Sequence, residues 1–148
     1  MSHGEEEAAR ARDVAARALR HGLADEPRAG EATLLALPIE SPERDPAGWL
    51  VWLVADERLL GFVQLDADLV YRRYASFGER APQAGEWLDP EAIAARVRPR
   101  LARGEEIEEQ FLSYDVNPDR VAWIVRARGE GGRRTFFVAG TEVSERPS

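Results

Sequence analysis

The chain of 148 residues has no cysteine and no lysine, one methionine and two histidines. Without cysteine there is no thiol nucleophile, no cysteine-based zinc site and no disulfide. His3 and His21 are too few for a histidine metal cluster. No apolar run is long enough to read as a membrane span. The opening residues pass directly into Glu5, Glu6 and Glu7 rather than a basic start and an apolar stretch, so no secretory signal is read and a cytoplasmic location is expected. All twenty basic residues are arginine, set against 27 acids, for a formal net charge of -7. Phosphate contacts supply most non-specific affinity for nucleic acid and anionic lipid, so neither nucleic acid nor a membrane is expected as a partner.

What is present is enough for a core. A chain of this length buries roughly 68–70% of its unfolded surface without staples. Ala11, Val14, Ala15 and Ala18 recur at helical spacing, predicting a helix over Glu5 to Arg20 that stops at Gly22. A strand is expected over Glu31 to Leu37, ended by Pro38, with a loop through Pro42 and Pro46. Trp49 to Ala55 and Leu59 to Leu65 read as a hairpin broken at Asp56 to Arg58, and Leu69 to Ala75 as a further strand. Residues 76–88 change to Gly, Pro, Gln and Glu, which marks a connecting segment. Asp89 then serves as N-cap and Pro90 as first residue of a second helix carrying Ile93, Val97 and Leu101, interrupted by Pro99 near Arg96 to Arg98. Three strands follow, at Ile107 to Asp115, Val121 to Arg128 and Arg133 to Ala139.

The two halves share an order of helix, strand, Trp-containing strand and Phe-Val strand. Trp52, Leu53 and Val54 match Trp123, Ile124 and Val125, and Phe62-Val63 matches Phe137-Val138. The expected fold is therefore α+β: two helix-plus-antiparallel-sheet units, residues 1–75 and 89–148, related by a weak internal repeat. On the helix from Asp89, the run Phe111 to Asp115, Trp123 and the stretch Phe137 to Val143, each half resembles the PepSY domain, a small unit related in shape to the beta-lactamase-inhibitor protein. The resemblance implies a non-enzymatic module that inhibits proteases or regulates in the cell envelope.

No residue set converges on a reaction. A nucleophile-His-acid triad has only His21 to draw on, and a histidine beside Gly22 fits a helix end. Asp66 and Asp68, two apart, offer two carboxylates to a hard cation, but a turn in which aspartate bonds local amides accounts for them better. Glu105, Glu106, Glu108 and Glu109 read as a solvated polar edge. Gly129, Gly131 and Gly132 lack the following helix and the Lys-Ser/Thr pair of a phosphate loop and read as a hairpin turn. No catalytic residue, cofactor or metal is assigned.

Binding is the leading expectation. Arg96, Arg100 and Arg103 fall on one face of the second helix and suit an acidic partner. Tyr71 and Arg73 alternate onto one side of their strand as a mixed aromatic-cationic surface, with charge protection of an edge strand as the other reading. In Trp49 to Ala55 both alternating sets are apolar, so the strand needs cover on both faces: from this chain, a homodimer partner or a ligand. Trp52, Trp123 and Phe137 are the residues expected in that core or pocket. The function expected is a non-catalytic protein-binding or regulatory module; the alternative is a small-molecule carrier or small enzyme with an aromatic-lined pocket. As core residues, Trp52 and Trp123 should each cost about 3–5 kcal/mol on replacement by alanine, read by denaturant unfolding of both variants.

Overall fold

The computed structural model describes residues 3–22 and 28–146. Among them, helices and two separate four-stranded antiparallel sheets form an α+β fold in two units. The first unit comprises Met1–Ile39 with Pro46–Ala84, the second Glu40–Asp45 with Gly85–Ser148.

In the first unit, helix α1 (His3–Arg20) precedes a meander of β1 (Thr33–Glu40), β2 (Pro46–Ala55), β3 (Arg58–Asp66) and β4 (Tyr71–Ser76), whose spatial order is the sequence order. Glu5 and Glu6 sit in the first turn of α1 and Arg17 and Arg20 in the last, as its dipole favours. Gly22, at φ 76°, ends it. The face that α1 presents is alanine: Ala11, Ala15 and Ala18 are buried. Ala11 and Ala15 pack with Trp49, Val51, Leu53, Val63 and Leu65 in one cluster. The opposite face of β2 is also buried, through Leu50 and Trp52. Trp52 meets Phe62 edge-on at 5.2 Å and lies parallel to Phe77 at 6.5 Å. Apolar residues on both faces thus give a strand buried on both faces.

The second unit repeats this plan. Helices α2 (Ala84–Leu88) and α3 (Pro90–Val97) lead into β5 (Glu106–Tyr114), β6 (Val121–Gly129), β7 (Gly132–Ala139) and β8 (Glu142–Arg146), again paired in sequence order. Asp89 caps α3 by accepting from the Glu91 amide at 3.0 Å, and α3 ends at Val97, ahead of Pro99. Ile93 and Val97 pack on Val125, Ala127, Phe136 and Val138, while Phe111, Ala122, Ile124 and Phe137 form a cluster on the other face.

Three sequence expectations need correction. Pro38 does not end β1, which continues to Glu40; β1 is the edge strand, where a residue without an N–H is tolerated. Strand β8 and the short helix α2 were not anticipated. The residue match between the halves also shifts by one. Trp52 pairs with Phe62 on the face away from α1, whereas Trp123 pairs with Val138 on the face packed by α3. The pairings make Val51, opposite Val63, the counterpart of Trp123, and Trp52 the counterpart of Ile124. A shift of one residue in a strand reverses the face. Trp123 is accordingly half-buried and donates from its indole Nε1 to the Trp87 carbonyl at 2.9 Å.

Trp87 in turn leans on the β7–β8 turn. A methyl group at Gly140, whose φ is 61°, would come within 2.7 Å of the Trp87 ring. Gly140→Ala should therefore lower stability by about 1–2 kcal/mol, combining a left-handed backbone with a clash. Gly131→Ala, with open space around it, should change it by less than about 0.5 kcal/mol. Equal denaturation midpoints for the two variants would contradict the packing.

Candidate functional site

The residues expected to form an interaction surface do not assemble as the spacing suggested. A bulge in β4 leaves Arg72 unopposed, because Tyr71 pairs with Leu65 and Arg73 with Gln64. Tyr71 and Tyr74 both pack on the first core cluster, and Arg73 lies on the opposite face. There it donates from Nε to Gln64 Oε1 at 2.6 Å, with its guanidinium 5.0 Å from the Phe62 ring centre. The mixed Tyr71/Arg73 surface is thus replaced by a tyrosine pair and a half-buried arginine.

The arginine stripe breaks for a related reason. Pro99 turns the chain into a 3₁₀ segment, Arg98–Arg100, so Arg96, Arg100 and Arg103 share no helix face. Arg96 is half-buried on α3, and its Nη1 takes no hydrogen-bond partner among the described residues. Arg100 and Arg103 line different clefts.

Trp123 and Phe137 point to opposite faces of the second sheet, so they do not line one pocket. His21 is exposed at the end of α1, its amide bonded to the Arg17 carbonyl at 3.0 Å; the side chain of His3 lies outside the described residues. Asp66 makes the local turn, its Oδ1 accepting from the amides of Asp68 and Val70 at 2.9 and 3.0 Å. Among the described residues no group of three His, Asp or Glu is placed to hold a metal. The glycine run closes the β6–β7 hairpin, with Gly129 opposite Gly132.

The acidic run before and within β5 is a solvated edge only in part: Glu106 and Glu108 are exposed, Glu105 and Glu109 half-buried. Glu105, Glu108 and Glu109 are matched to arginines, and a bulge at Glu108 distributes the carboxylates of the strand. Glu105, 8% exposed, accepts from Arg134 at 2.6 Å, and Arg134 also holds both oxygens of Glu145, at 2.8 and 3.1 Å. Glu108 lies between Arg128 and Arg133. Glu109 lies between Arg126 and Arg44, each at 2.8 Å, and both guanidinia also sit over the Phe111 ring. Arg126, 15% exposed, completes its bonding with the Pro42 carbonyl at 2.6 Å. The hydrogen bonds from Arg126 and then Arg44 hold Glu109 below the ordinary carboxylate range despite partial desolvation. Arg128, chiefly, does the same for Glu108, and Arg134 for Glu145.

Among the described residues these ion pairs border open clefts in the second unit. One of about 440 Å³ is lined by Arg44, Glu109, Arg126 and Arg133, all bonded as described. A second, of about 560 Å³, lies between Arg98, Arg103 and Glu105. A larger one, of about 730 Å³, lies over the β6–β7–β8 end of the sheet. Its floor includes Ala122 and Phe137, its sides Val121, Val143, Thr141 and Ser144, and its rim Arg100, Arg120, Arg146, Asp115 and Glu142. Arg146 is bonded to Asp115 Oδ2 at 2.7 Å, whereas Arg100 and Arg120 have no carboxylate in ion-pair contact among the described residues. Sequence reasoning singled out Arg100 and Phe137 but not Arg120, Asp115 or Arg146, which only the β5–β6 turn and the last strand bring together.

Set beside known protein families, characterised proteins and solved structures, the chain matches none. The chemistry of the site therefore stands on its own geometry.

Because Glu109 is more acidic in the fold than in the unfolded chain, its contribution is complete above the unfolded value of about 4.3. It is lost as pH falls through the lower folded value. Glu109→Gln should cost about 1–3 kcal/mol at pH 7, since two arginines lose their charged acceptor. It should also flatten the decline in stability below about pH 4. Urea unfolding across pH reads both; an unchanged acid limb would contradict the assignment.

Proposed function

We propose that this chain is a non-catalytic module that binds another protein, and that the large cleft of the second unit is where it does so. The carrying observation is that cleft: open, apolar at its floor, and rimmed by guanidinia, two of which have no acid partner. Its side chains offer contacts and charge. They include neither a histidine nor a nucleophile-base pair, so they favour recognition over a reaction. The two apolar clusters of the second unit are filled by Ile93, Val97, Phe136 and their neighbours on one face and by Phe111, Ile124 and Phe137 on the other. Filled clusters on both faces support a partner at the surface rather than inside the unit.

The PepSY-like pattern of the sequence, were it one of descent, would bring with it a regulatory or inhibitory role. A small-molecule carrier is the competing reading, since about 730 Å³ also lies within the range of ligand pockets. Selection of displayed peptides on the folded chain tests the choice. The binding-module reading expects enrichment of peptides that compete with one another and lose binding when Phe137, on the cleft floor, is replaced by aspartate in a variant that still melts cooperatively. Absence of enrichment, with a thermal shift of several degrees from a compound in a metabolite panel, would overturn it.

A further inference from the structure

We infer that the outer edge of β1 pairs with the same edge of a second copy of this chain, antiparallel and centred on Leu35, so that two copies join through one continuous sheet. Among the described residues the strands at sheet edges are β1 and β4 in the first unit and β5 and β8 in the second. An edge presents a row of free N–H and C=O groups that invites another strand, and proteins blunt it with charge, bulges or short length. Strand β4 carries Arg72, Arg73 and a bulge. Strand β5 carries Glu106, Glu108, Glu109 and a bulge. Strand β8 is five residues long and holds Glu142, Glu145 and Arg146. By contrast β1 runs for eight residues without a charge before Glu40, and its one guard is Pro38. On it Leu35 is 40% exposed.

The turn into β2 fixes which backbone groups point outward. The Ser41 amide donates to the Asp45 carbonyl at 2.8 Å, so Ser41 faces β2. Residues of an antiparallel strand bond to alternate sides. Leu35 and Leu37 therefore bond toward β2, while Leu34, Ala36, Pro38 and Glu40 turn outward. Pro38 fits that outward row, where its missing N–H deprives β2 of nothing. Centred on Leu35, two copies exchange hydrogen bonds between Leu34 and Ala36 in both directions, and the two Leu35 side chains meet as a non-hydrogen-bonded pair. Pro38 then falls opposite Ala32, whose amide is already bonded to the Ala29 carbonyl at 3.1 Å. A pairing centred on Ala36 or Leu37 would set Pro38 opposite Leu34 or Ala36 and leave a carbonyl there without a donor.

The charge pattern fits a second copy as the occupant. At a net charge of -7 two chains repel in general. Along this ladder they meet no charge, and the flanking charges are matched within each copy, Arg28 to Glu31 and Glu40 to Arg44. Antiparallel pairing also sets the Arg28 end of one strand beside the Glu40 end of the other, opposite in sign, where parallel addition would set like beside like. With one unguarded edge per copy the assembly closes at two, as an isologous contact does. A ladder of so few residues buries less than a standard interface, so the dimer is weak and forms with rising concentration.

The test is sedimentation velocity of the full chain over a concentration series, paired with amide hydrogen exchange. A reversible monomer–dimer equilibrium should appear, with a dissociation constant on the order of 10–1000 µM, as suits an interface below standard size. Above that concentration the Leu34 and Ala36 amides should exchange at least about threefold more slowly than below it, because pairing removes them from solvent. The Leu35 and Leu37 amides, already bonded toward β2, should not change. Leu35→Lys sets like charges opposite each other and should weaken association at least about tenfold while the variant still melts cooperatively. Leu35→Ile should retain it. A chain that stays monomeric at every concentration would overturn the inference, as would species larger than a dimer or undiminished association of Leu35→Lys. A dimer whose Leu34 and Ala36 amides exchange at the monomer's rate would overturn it too, and that measurement on the unmodified chain decides alone if Leu35→Lys does not fold. None of these outcomes bears on the cleft of the second unit.

Discussion

Strand register is the constraint on which the rest of the structure depends. In a paired strand every second side chain meets the same face, so one inserted residue reverses the face of all that follow. Two such insertions, at Arg72 in β4 and Glu108 in β5, set the chemistry of the surface. The first sends Tyr71 and Tyr74 to the α1 side and Arg73 to the other. The second sends Glu108 to Arg128 and Arg133 and Glu109 to Arg126 and Arg44. Without it, alternation would turn Glu109 to the face of Ile107, away from Arg126.

The ion pairs that result do different amounts of work. Those around Glu108 and Glu145 are largely exposed, and exposed pairs contribute little because water and salt screen them. Glu109 and Arg126 are more enclosed, and Arg126 shares the Phe111 ring with Arg44, so these contacts tie residues 40–45 to the rest of the second unit.

Much of this was legible in the sequence. The caps at Asp89 and Pro90, the early helix end before Pro99, the doubly apolar strand β2 and the hairpins at Asp56 and Gly131 follow from local chemistry, and each acts where it was read. The repeat of helix and meander was also readable, though not its residue alignment, because Trp52 and Trp123 look alike in sequence and differ only in pairing. Bulges leave no such local mark. Arg72 and Glu108 resemble their neighbours, and their place outside the strand register comes from residues on other strands. For the same reason Arg120, Asp115 and Arg146 were invisible as a group: they lie on a turn, the end of β5 and the end of β8. Their meeting depends on a last strand, Glu142 to Arg146, whose polar composition hides it.

The most direct test is the pattern of cross-strand nuclear Overhauser contacts across β3–β4 and β5–β6. The account predicts Tyr71 opposite Leu65 and Arg73 opposite Gln64, with Arg72 opposite neither. It likewise predicts Ile107 opposite Ala127 and Glu109 opposite Arg126, with Glu108 left out. Contacts showing unbroken alternation through Arg72 or Glu108 would contradict it, since the tyrosine pair or the matched acids would then change faces.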